Sequence, residues 1–140
     1  MTTLKQKVLI SAAVISTSLM MSVSSAWAIT SCWQASDPPG CWLQCTFGGP
    51  CPLESVSQVS TAIEFKLPKA DSEASQHFGE VLKKREGPSL KEINRSREMY
   101  GKVSGQTCKP EQLLAVMTKA VDQSKDHLGA AQIVAKSCLK

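Results

Sequence analysis

From Asp71 onward the apolar residues recur at helical spacing. Ala74, Phe78, Val81 and Leu82 fall at i, i+4, i+7 and i+8, with Asp71 placed as N-cap and Lys83, Lys84 and Arg85 at the far end. That pattern predicts an amphipathic helix whose charges match its dipole, ended by Gly87-Pro88. Ser89 and Glu92 have the spacing of a capping box, so a second helix is expected toward about Tyr100, with Leu90, Ile93 and Arg97 or Tyr100 on one side. The stretch from Gly101 to Gly105 is the next break. Pro110 suits the first position of a third helix, whose stripe is Leu113, Leu114, Met117, Ala120 and Val121 and which should fray near Ser124. Beyond Ser124, Gly129 interrupts the pattern. The tail through Ile133 and Val134 to Cys138 is either a fourth helix folded back or a kinked extension of the third.

Upstream the period shortens to two. Val59, Thr61, Ile63, Phe65 and Leu67 alternate with polar or small neighbours and stop at Pro68, which predicts a half-buried strand. A lone strand leaves its backbone unpaired, and the nearest candidate partner is Gly40 to Phe47. The expected fold class is therefore α+β: a small disulfide-stapled β-hairpin or meander followed by three or four helices. Residues 29–140 should form one small domain, with a cysteine-rich β part over 29–68 and a helical part over 71–140.

The first 28 residues read differently again. Lys5 and Lys7 precede an uncharged run from Val8 to Ser25, and Ala26-Trp27-Ala28 supplies the small residues that signal peptidase requires. This is the pattern of a cleaved export signal. The serines and Thr17 within the run weaken it as a permanent anchor, and no second hydrophobic span occurs downstream. Ile29-Thr30-Ser31-Cys32 is also a permissive lipoprotein box. Cleavage after Ala28 keeps six cysteines, whereas lipidation of Cys32 would strand one thiol. The expected address is the periplasm, with a lipoprotein anchored through Cys32, or a secreted protein, as alternatives.

Charge adds little to this picture. The whole chain carries 16 basic and 12 acidic residues; without Lys5 and Lys7 the balance is +2, which supports neither a nucleic-acid binder nor a polybasic membrane protein. Lys83, Lys84, Arg85, Lys91, Arg95, Arg97 and Lys102 outnumber Glu86, Glu92 and Glu98 locally. With almost no aromatic interleaving, this run reads as the solvated faces of two helices.

Cysteine carries the organisation. Cys32, Cys41, Cys45 and Cys51 crowd the segment CWQASDPPGCWLQCTFGGPC, which is too short and turn-rich to bury a core alone and needs covalent staples. An antiparallel pair of C-terminal helices would bring Cys108 beside Cys138, where one straight helix would hold them some 40 Å apart at ~1.5 Å per residue. A Cys108 to Cys138 disulfide is expected, leaving the other four to pair among themselves in one of three ways. Cys41 and Cys45 form a Cys-x3-Cys, not the redox Cys-x-x-Cys, and export disfavours a reduced zinc site. His77 and His127 are expected at the surface without a nucleophile, and Asp122 and Asp126 at i, i+4 read as a solvated helix face. No phosphate loop or His-Glu-x-x-His occurs. The expectation is no enzyme, no catalytic residues, no metal and no cofactor. Trp33, Trp42 and Phe47 have two readings, stacking on the disulfides and strand, or projecting as anchors for a partner protein; the second assigns them as the partner-binding surface.

The piece Gly40-Cys41-Trp42-Leu43-Gln44-Cys45-Thr46-Phe47, then Cys51, then Val59 to Leu67 and Pro68, resembles the N-terminal part of TraU-like proteins of integrating conjugative elements. Those are exported, cysteine-rich components of the conjugative, type IV secretion class of DNA-transfer machinery. Cys41 adjoins Trp42 where that pattern has a spacer, and the resemblance stops at Pro68. It implies a structural role in pilus or mating-pore assembly. Partners would be other proteins of the transfer apparatus, with no direct nucleic-acid contact and no transmembrane segment after leader cleavage. The reading from another class is a small disulfide-bonded periplasmic or secreted binding or inhibitor protein.

Overall fold

The computed structural model describes residues 32–53, 63–85 and 87–140. The leader, the first part of the expected strand (Val59 to Ala62) and Glu86 lie outside them. The described residues form a 3₁₀ turn, Cys32–Gln34, followed by five helices: α1 Pro38–Phe47, α2 Glu73–Lys84, α3 Leu90–Tyr100, α4 Pro110–Gln123 and α5 His127–Cys138. One hydrophobic cluster runs from Cys32 to Leu139 and takes residues from all five.

The expected β-hairpin is corrected: the cysteine-rich segment is a helix. Asp37 accepts a hydrogen bond from the Gly40 N–H at 3.3 Å, as an N-cap does. Pro38 and Pro39 then occupy the first helical positions, where a backbone N–H has no helical acceptor and its loss is harmless. The proline pair of this turn-rich segment is a helix start. Gly48 closes α1 with φ 90, the left-handed conformation that favours glycine. Along α1 only Gln44 is more than slightly exposed. A helix buried on every side has no polar stripe to betray its period.

Of the expected strand, Ile63 to Leu67 forms no regular secondary structure and pairs with no strand among the described residues. Its side chains still alternate, Ile63 buried, Glu64 and Lys66 exposed, Phe65 and Leu67 half-buried, so the two-residue period reported burial faithfully without a sheet. The backbone is satisfied by a side chain instead. Lys66 N–H donates to Gln106 Oε1, and Gln106 Nε2 donates back to the Lys66 carbonyl, both at 2.8 Å. One amide replaces a neighbouring strand at that residue.

The C-terminal helices match their sequence pattern closely. Ser72, one residue after the expected Asp71, caps α2 through the Ser75 N–H. Ser75 lies buried where Ala74 was expected. Gly79 permits close packing on α1, since a Cβ there would stand 3.2 Å from Pro38 Cγ. Ser89 caps α3 as predicted, accepting from the Glu92 N–H. Its hydroxyl donates to Glu92 Oε1, so the glutamate meets the serine side chain where a full capping box would use the Ser89 N–H. In α4, Leu113, Leu114, Met117, Ala120 and Val121 are all buried and Ser124 is the C-cap. The tail folds back as a separate helix because Asp126 caps it, accepting from the Gly129 N–H at 2.7 Å. Gly129 thus sits in the first turn of α5. Cys108 and Cys138 close the hairpin with a disulfide, and the chain end lies along residues 104–107 through backbone bonds such as Thr107 N–H to the Cys138 carbonyl at 2.7 Å.

Candidate functional site

The six cysteines form three disulfides, Cys32–Cys41, Cys45–Cys51 and Cys108–Cys138. Cys41 and Cys45 stand one turn apart on α1, so their sulfurs share a face. One staples the helix back to the 3₁₀ turn, the other forward to the segment after Gly49. The sulfurs of Cys32, Cys41 and Cys45 lie within 4.8 Å of one another, a spacing a metal ion accepts. Each is held in a disulfide, however, and a metal needs thiolates. All four cysteines of this segment are at most 7% exposed.

The three aromatic residues of this segment separate. Trp42 (1% exposed) and Phe47 (0%) are core residues, so their assignment as a partner-binding surface is corrected. Apolar α1 has the whole bundle to hide in, and the ring of Trp42 meets Phe47, Phe78 and His127 edge-on with centroids 6.0, 6.1 and 5.4 Å away. Phe47 continues the stack to Phe65 and Tyr100. Trp33 alone stays half-exposed, with Lys83 Nζ 5.1 Å from its ring centre.

Arg97 has a role the charge run concealed. Its Nε donates to the Cys45 carbonyl at 2.6 Å, and its Nη2 to the carbonyls of Gln44 (3.1 Å) and Gly49 (2.8 Å). A cation thereby answers the carbonyls and negative dipole end of α1. Burial holds its pKa below the ordinary value. Arg97 lies four residues after Ile93 on the buried face of α3, so its place in an apolar stripe was the available signal. The other six cations of that run are exposed.

The histidines also separate. His77 is exposed on α2 as expected. His127 is not in a surface turn: it opens α5, is 8% exposed, and touches Thr46 Oγ1 through Nε2 at 3.5 Å. Burial pushes its pKa down to about 4, against the opposing charge of Asp126. At neutral pH the ring is uncharged. Thr46 is wholly buried, so this pair lacks the accessible hydroxyl a nucleophile needs. Asp122 and Asp126 do not share a helix face, since Asp122 belongs to α4 and Asp126 is the cap of α5.

A cavity of about 390 Å³ opens beside His127. Trp42, Leu82, Val121 and Ala130 form its apolar part, and Lys84, Arg85 and Lys125 stand at its edge. Among the described residues no helix is long and apolar enough to cross a membrane. No family model, curated protein or solved structure matches the chain.

Proposed function

We propose that this chain is an exported, non-enzymatic protein that acts by contact, as a structural or assembly component of a conjugative DNA-transfer (type IV secretion) apparatus. The pairing of every cysteine in a disulfide carries the first half. Crosslinks persist where thiols are oxidised, which agrees with the leader pattern of residues 1–28. Cys32 is joined to Cys41, which favours a soluble periplasmic form over one lipidated at Cys32. The resemblance over Gly40 to Pro68 supports the second half. Trp33 with Lys83 offers an amphipathic contact point, and Met99 (57% exposed) and Ile133 (44%) are further apolar contacts available to partner proteins.

Deleting the gene from a conjugative donor should abolish transfer, with recovery by the intact gene and by none lacking the leader. Undiminished transfer by the deletion strain, with the protein found oxidised in the periplasm, would move the reading to its alternative, a small exported binding protein. The cavity beside His127 is the observation that favours that alternative.

A further inference from the structure

We infer that the cavity beside His127 binds a small amphiphilic carboxylate, its apolar body inside and its charge among Lys84, Arg85 and Lys125. This holds whichever reading of the protein's role is right. At about 390 Å³ the space is at the lower end of the roughly 300–1,000 Å³ typical of small-ligand sites. Its floor is hydrophobic and rigid: Trp42, Leu82, Val121 and Ala130 are each at most 7% exposed and come from α1, α2, α4 and α5. A hollow built from four helices keeps its shape without a ligand, so little ordering entropy opposes binding.

The charge around it is one-sided in availability. Glu92 and Asp126 also line the cavity, but both are engaged by helix starts. Glu92 Oε1 accepts from the Ser89 hydroxyl and Oε2 from the His127 N–H, at 3.2 Å each, and Asp126 Oδ1 accepts from Gly129 N–H. Lys84, Arg85 and Lys125, in contrast, have no ion-pair partner among the described residues. Cations at the end of α2 match its dipole, but that does not account for a hollow beneath them.

His127 sets the polarity of the interior. It is 8% exposed and lines the cavity beside Trp42. Its Nε2 stands 3.5 Å from the Thr46 hydroxyl, and the neutral ring carries one N–H donor and one acceptor nitrogen. The neutral imidazole thus adds a polar group without net charge to the apolar wall.

The test uses the oxidised protein as isolated and phenylbutyrate as probe. Titration should shift the indole N–H resonance of Trp42 and the ring resonances of His127 along one saturable curve, and raised salt should weaken binding. Arg85→Gln with Lys125→Gln, both at exposed positions, should reduce affinity about tenfold. Circular dichroism and the urea midpoint verify that the variant is folded, and Lys125→Gln alone serves if the pair is not. Phenylbutylamine and the methyl ester of phenylbutyrate should bind far more weakly. The inference is overturned by an unsaturable or absent shift, by amine or ester binding as well as the acid, or by affinity that neither salt nor the substitutions change.

Discussion

In the α4–α5 hairpin one disulfide joins residues 30 apart in sequence, whereas around α1 two disulfides span separations of 9 and 6. The hairpin is built from two amphipathic helices that face each other, and its long crosslink removes much freedom from the unfolded chain. The short crosslinks remove less apiece, because loop entropy grows with the logarithm of loop length. Helix α1 depends instead on being surrounded: Trp42 and Phe47 fill the core, Arg97 answers its carbonyls, and Asp37 and Gly48 cap its ends. Sulfur dominates the hairpin's long-range closure, and packing dominates the segment that is richer in sulfur.

Seven variants bear on that contrast, each read by urea unfolding. Trp42→Ala should cost about 3 to 5 kcal/mol, since a fully buried indole leaves a cavity among Phe47, Phe78 and His127. Trp33→Ala should cost no more than about 1 kcal/mol, the scale of its contact with Lys83. Equal losses at the two tryptophans would remove the distinction between core and surface rings.

Replacing Cys108 and Cys138 together by serine should cost about 3 to 4 kcal/mol, against about 2 kcal/mol for Cys45 with Cys51. The reverse order would mean that the short staples hold native geometry in ways loop length does not capture. Arg97→Met should cost about 3 kcal/mol by leaving the carbonyls of Gln44, Cys45 and Gly49 without that donor. Arg97→Lys should not restore it, because an ammonium cannot reproduce the planar fork; full rescue by lysine would reduce the interaction to charge alone.

A pH-dependent effect concerns His127, whose folded pKa of about 4 lies below the ordinary 6.5. The unfolded chain therefore binds the proton more readily. The stability tied to the neutral ring is complete above pH 6.5 and is lost as the pH falls toward 4, amounting to about 2 kcal/mol by pH 5. His127→Gln should flatten that part of the stability profile. A profile unchanged by the substitution would place the acid sensitivity elsewhere.

Some of this architecture is written locally and some is not. The Ser89 cap of α3, the stripe of α4 and the Pro110 start arise from interactions within a few residues of one another, so the sequence specifies them by itself. The Cys108–Cys138 pair was legible too, because an antiparallel return is the one geometry that brings those residues together. By contrast, Pro38-Pro39-Gly40 fits both a turn and a capped helix start, and the choice depended on the residues that surround α1. The period-two pattern of Ile63 to Leu67 marked alternating burial, but whether a strand or the side chain of Gln106 met its backbone was settled 40 residues away. Likewise, nothing near Arg97 or His127 in the chain announces the carbonyls of α1 or the ring of Trp42. Local spacing determines where helices start and which face is apolar, because those energies act within a turn or two. Whether a polar or aromatic side chain ends up inside is decided by partners distant in sequence, and only the assembled bundle brings them within reach.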